Sequence, residues 1–184
     1  SLISREAAFL AQNVLFLLIA FVTLWGTVFP IFSEAVDETT MTVGQPFFNK
    51  VNGPLILLLI FLMGVAPLLP WRRATVRSLS RMLMLPAALA LGIAGVALLL
   101  GITRPWAVVS FAICGVAVSG VLQEWVRGTL SRHRRGEWWP KAFLNLLNAN
   151  RPRYGGYIVH LAIIMLGVGI TASSFYSVQR DVVM

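Results

Sequence analysis

Of the side chains able to bind a metal or carry a proton, one lies well inside a long apolar segment. It is His160, in Tyr154-Gly-Gly-Tyr-Ile-Val-His160-Leu-Ala-Ile-Ile-Met-Leu-Gly167. An imidazole in hydrocarbon must be paired, and intramembrane ionisable groups mark proton paths, ion paths or cofactor ligands. The plainer alternative is a histidine hydrogen-bonded to a neighbouring helix. Gly156, His160, Ile163, Gly167, Thr171 and Ser174 recur at helical spacing, so they are expected to share one face, with Leu161, Met165 and Val168 directed elsewhere. Gly156 and Gly167 leave room beside the ring, which suits either a close helix or a flat macrocycle. Gln12 and Asn13 occur at a similar depth in the first apolar run, where they can bond a ring nitrogen or a cofactor edge, or serve as polar glue between helices. Glu124, three residues before Arg127, reads as half of an interfacial ion pair.

Other chemistry is excluded by what the chain lacks. There is no P-loop, no Gly-x-Gly-x-x-Gly, no Gly-x-Ser-x-Gly, no His-Glu-x-x-His and no carboxylate pair within the apolar runs, which argues against a hydrolase or an ATPase. The single cysteine, Cys114, lies in an apolar run, so neither an internal disulfide nor a Cys-x-x-Cys site can form, and it reads as helix packing. His133 sits in Ser131-Arg-His-Arg-Arg135 and reads as part of a solvated basic run. What remains is one buried imidazole, and a haem iron can be held by histidine in a helical membrane bundle without any other sequence mark.

The elements that must position it are apolar helices. Apolar residues make up 58% of the chain and charged residues 12%, far below the roughly 25% of a soluble domain. Mean hydropathy is +0.80. The net charge of +8 is dispersed in short runs between apolar stretches, which fits membrane topology and not a nucleic-acid face. Five runs are long enough to cross a hydrocarbon core, near residues 6–29, 53–71, 83–103, 106–126 and 155–176. Pro54, Pro67 and Pro70 make the second the most irregular, with a re-entrant path as the alternative.

Arg5, then Arg72, Arg73, Arg77 and Arg81, then Arg127, Arg132, Arg134, Arg135, Lys141, Arg151 and Arg153 fall on one side, against Lys50, Arg104 and Arg180 on the other. The positive-inside rule then places the N-terminal end in the cytoplasm and the C-terminal end outside, with Glu34, Asp37 and Glu38 in an external loop. The cytoplasmic loop 127–153 carries Trp138-Trp139-Pro140 and an apolar patch too short to span, which is expected to form an interfacial helix anchored by the two indoles. The predicted fold is an all-α polytopic transmembrane helix bundle forming a single domain over residues 1–184. Ser1 is not an initiator methionine and Gln179-Arg-Asp-Val-Val-Met184 shows no terminating pattern, so the chain is expected to be a segment of a longer protein.

At these residues the chain resembles the CcmF family, the membrane haem-lyase component of cytochrome c maturation. The matching stretches are Ser4-Arg-Glu-Ala-Ala-Phe-Leu10, Trp25-Gly-Thr-Val-Phe-Pro30, Val43-Gly-Gln-Pro-Phe-Phe-Asn49, Pro67-Leu-Leu-Pro-Trp-Arg-Arg73 and Tyr154-Gly-Gly-Tyr-Ile-Val-His160. The resemblance implies a multi-pass protein of the bacterial cytoplasmic membrane that attaches haem to apocytochrome c on the external side, taking it from a haem chaperone. It also implies a b-type haem within the helices, passing electrons from quinol so that the delivered haem is reduced first. His160 falls where the family carries one of two axial ligands of that haem iron, and Gly156, Gly167 and Asn13 are then the expected cofactor contacts. Implied partners are the remaining N-terminal part of the same protein, the chaperone, apocytochrome c with its thiol-reducing or presenting subunit, and quinol, but no nucleic acid.

The departures matter equally. The family's tryptophan-rich external motif, its two external histidines and its second b-haem ligand are not found, since Trp138-Trp139 and His133 lie in the internal loop. The chain therefore resembles a C-terminal portion, and this segment alone is expected to be inactive. A transporter using His160 as a proton relay, or a structural subunit using it for packing, are the competing readings, and the lack of further intramembrane charges disfavours the transporter.

Overall fold

The computed structural model describes residues 4–37, 43–70 and 76–176, and every regular element among them is helical. In chain order these are α1 (Arg5–Asp37), α2 (Gln45–Val65), α3 (Val76–Leu99), α4 (Pro105–His133), α5 (Trp139–Ala149) and α6 (Arg151–Tyr176), with one 3-10 turn at Ala66–Leu68. All but α5 are long and apolar enough to cross a membrane, which makes the chain an all-α bundle with five candidate spans. Trp71, Arg72, Arg73, Glu38 and Arg180, which entered the expected loops and charge distribution, lie outside the described residues.

The helices run longer than the apolar runs. α1 continues past residue 29 through Pro30 to Asp37. α2 begins at Gln45, where Gly44 is extended and Pro46 occupies the first turn, a position that needs no backbone N–H. It then passes through Pro54 as one continuous helix, not a re-entrant segment, and gives way at Ala66 to the short turn containing Pro67. α4 extends to His133 instead of stopping near 126, and α6 already begins at Arg151, so most of the expected loop is helical.

α4 is the shared wall of the bundle, packing against α2, α3, α5 and α6, while α1 packs on α2 and on the 3-10 turn. Small residues permit this crowding, since helices in lipid gain no hydrophobic drive and associate by close packing. A methyl on Gly120 would overlap the Gly64 carbonyl, and one on Gly64 would overlap the backbone of Ala117. Gly115 receives Ile93 of α3 in the same way. Ile60, Cys114, Ala117 and Ile164 close the centre where α2, α4 and α6 meet. The small residues of α3 behave differently: Ala88 and Gly92 are exposed, and Gly92 and Gly95 have open space where a side chain would stand.

At the α4–α5 corner Gly136 takes φ +99°, a left-handed conformation suited to glycine, and its N–H bonds the His133 carbonyl at 2.9 Å. Glu137 organises the corner, accepting from Arg132 at 3.1 Å and from Asn145 at 3.0 Å. His133 is half-buried here, its Nδ1 2.8 Å from the Glu137 carbonyl and its ring 4.8 Å from that of Trp139. It is a corner residue and not the free surface histidine expected from its basic neighbours. α5 buries Ala142 and Leu146, while Trp138 stays exposed.

Candidate functional site

His160 lies on α6 nine residues beyond Arg151, about 13 Å along the helix axis at 1.5 Å per residue. The ring is half-buried, and its Nδ1 is shielded yet has no hydrogen-bond partner among the described residues. Leaving a buried polar atom unpaired costs about 1–3 kcal/mol. The Tyr157 and His160 rings meet at a steep angle, with centroids 6.0 Å apart and planes inclined at 65°.

The packed face of α6 is displaced from the expected one. Tyr154, Tyr157, Ile164 and Thr171 are buried and Leu161 is packed against both core clusters, whereas Ile163 is 41% exposed and Ser174 is exposed. The small residues had suggested a face through Gly156 and Ile163, but the large side chains decide which surface meets α4. His160 consequently sits at the margin of this face. Gly156 has no neighbour within 4 Å of where a Cβ would stand, so the space beside it is open. At Gly167 a Cβ would lie 3.1 Å from Ile60 Cδ1 and 3.6 Å from Cys114 Sγ, which seats α6 against α2 and α4. Asn13 is exposed and Gln12 half-buried on α1.

Sequence spacing missed a polar cluster just below the imidazole. Glu124 does not pair with Arg127, which instead donates to Gln123 Oε1 at 3.2 Å. Glu124 forms a close ion pair with Arg153 and accepts from the Tyr157 hydroxyl at 3.2 Å, while Arg153 Nε donates to that hydroxyl at 3.3 Å. The available signal was a carboxylate at the end of one apolar run and an arginine and tyrosine at the start of the next. No group of three or more histidine, cysteine or acidic side chains able to hold a metal ion occurs among the described residues, so any metal bound here depends on a single imidazole or on groups supplied from elsewhere.

Two pairs of the resemblance-bearing stretches meet in space. Arg5 donates through Nε to the Ala66 carbonyl at 3.2 Å and through Nη2 to the Pro67 carbonyl, and its backbone N–H bonds Pro70 at 3.0 Å. At the other end of the α1–α2 hairpin, a Cβ on Gly26 would fall 2.8 Å from the Phe48 ring and 3.2 Å from that of Phe47.

This helical bundle, with a histidine at the margin of its core, defines a polytopic membrane protein. The chain belongs to the CcmF family. No family model matches it, but the cytochrome c-type biogenesis protein ccl1 of Rhodobacter capsulatus is 32% identical over 177 residues, covering 92% of this chain and 25% of that protein. CcmF of Pseudomonas fluorescens is 31% identical, covering 97% of this chain and 26% of the relative. A solved structure titled cytochrome c heme lyase CcmF aligns with a TM-score of 0.69 at 31% identity, over 96% of this chain and 26% of that one. The chain thus spans about a quarter of the length of the relatives it matches.

Proposed function

We propose that this chain is part of a cytochrome c haem lyase and supplies His160 as an axial ligand to a b-type haem among the helices. The observation that carries this is the half-buried His160 imidazole in apolar surroundings, whose Nδ1 is shielded and unpaired among the described residues, which leaves Nε2 as the nitrogen that would bond an iron. The residues fit such a group: an imidazole is available, and open space adjoins it at Gly156, one turn earlier on the same helix. When bound, the haem would supply one-electron redox chemistry. The chain's own contribution is to hold and orient the ligand, to keep water away through the packing of Ile164, Ile60 and Cys114, and to seat α6 through Gly167. Asn13, exposed on α1, is a polar contact for the same group or for the rest of the protein.

In this reading the complete protein accepts haem from a haem chaperone and electrons from quinol, and joins the haem to apocytochrome c presented by a thiol-reducing partner. The chain matches about a quarter of its relatives' length, and in this reading haem-lyase activity belongs to the assembled complex. The test is a reduced-minus-oxidised absorbance spectrum of the purified native complex, in which a b-type signal is expected at one haem per complex. A complex without that signal would contradict the proposal and leave His160 as a proton relay or a packing residue.

A further inference from the structure

A metal-ligating histidine is ordinarily oriented by a hydrogen bond from its second ring nitrogen. The terminal torsion of histidine is broad, so without such a bond the ring plane must be fixed by packing. His160 Nδ1 has no such partner among the described residues, and the aromatic ring set against the imidazole is that of Tyr157. Tyr157 is itself immobilised. It is 6% exposed, packed in a cluster with Val121, Leu146 and Tyr154, and meets Tyr154 edge-on at 5.8 Å and 73°. Its hydroxyl is held at two points, donating to Glu124 and accepting from Arg153, and those two side chains are paired with each other across α4 and α6.

We infer that Tyr157, locked by Glu124 and Arg153, is the positioning residue that sets the plane of the His160 imidazole. This rests on the haem-ligand reading above and assigns to the polar cluster a role beyond joining two helices. Tyr157 touches the ligand and not the iron, so its loss alters ligand orientation while leaving the iron bond in place. In a low-spin ferric haem held by two imidazoles, the angle between their planes sets the lowest-field g value in the electron paramagnetic resonance spectrum. Orientation therefore has a signature that helix packing alone does not move.

The experiment compares the native complex with Tyr157→Phe and Glu124→Gln, alongside His160→Ala. Tyr157→Phe keeps the ring and removes its anchor, and Glu124→Gln weakens that anchor without touching the tyrosine. The expected result is parental haem content in both variants with a shifted and broadened low-field g value. A signal identical to the parent's in both, at full haem content, overturns the inference. Failure of the underlying reading looks different, because the parent would then lack b-type haem or His160→Ala would retain it.

Discussion

Gly120 of α4 lies against the carbonyl of Gly64 of α2 so closely that even a methyl group on Gly120 would overlap it. The contact sets how near α2 approaches the wall that also carries α6. Gly120→Leu is therefore expected to destabilise the folded bundle by about 1–3 kcal/mol, the usual cost of overpacking. Thermal denaturation of the purified complex would show it, and an unchanged midpoint would mean that the two helices separate without penalty.

The two glycines on the His160 helix should respond differently. Gly167→Leu collides with Ile60 and Cys114 and so disturbs the seating of α6, lowering both stability and haem content. A Cβ at Gly156 would have nothing within 4 Å, so Gly156→Leu should leave stability nearly unchanged and lower haem content alone. Full haem occupancy in Gly156→Leu would show that the open space beside the ring is not part of the pocket.

Gly128 offers a third packing test, because a Cβ there would lie 2.7 Å from Leu146 and 3.0 Å from the Tyr154 hydroxyl. Gly128→Val should loosen α5 from α4 and increase protease cleavage within α5. Parental cleavage kinetics would contradict the tight α4–α5 seam.

Topology remains an expectation from charge. Cysteines placed at Arg77 and Arg134 should resist an impermeant external reagent, and one at Asp37 should react. Background is low because the native Cys114 is buried. Labelling at Arg134 in sealed cells would reverse the assignment of sides.

Five apolar helices were legible because a hydrocarbon-length run of apolar residues has few alternatives. Their ends were not: α2 starts at Gln45 and not near 53, since Pro46 is acceptable in a first turn and Pro54 is accommodated inside the helix. The placing of His160 within an apolar helix was legible from the run around it. The partner of Glu124 was not, because Arg127 is close in sequence while Arg153, 29 residues on, is close only after α4 and α6 pack. The face of α6 was misjudged for a related reason: glycines allow an approach, but Tyr154, Tyr157 and Ile164 supply the contacts that fix it.

Ligand counting gives a further expectation. His133 is committed to the α4–α5 corner, so these residues offer one imidazole to a site that the family resemblance gives two. The segment produced alone should bind haem weakly, and co-production with the remaining part of the family polypeptide should restore binding. A stoichiometric low-spin, two-imidazole spectrum from the segment alone would contradict a shared site.

The most direct test of the central claim is the b-type haem content of the purified native complex carrying His160→Ala. The account predicts loss or near-complete loss of the reduced-minus-oxidised b-type signal at unchanged protein level, with partial recovery when imidazole is supplied to His160→Gly. Parental haem content in His160→Ala would contradict it.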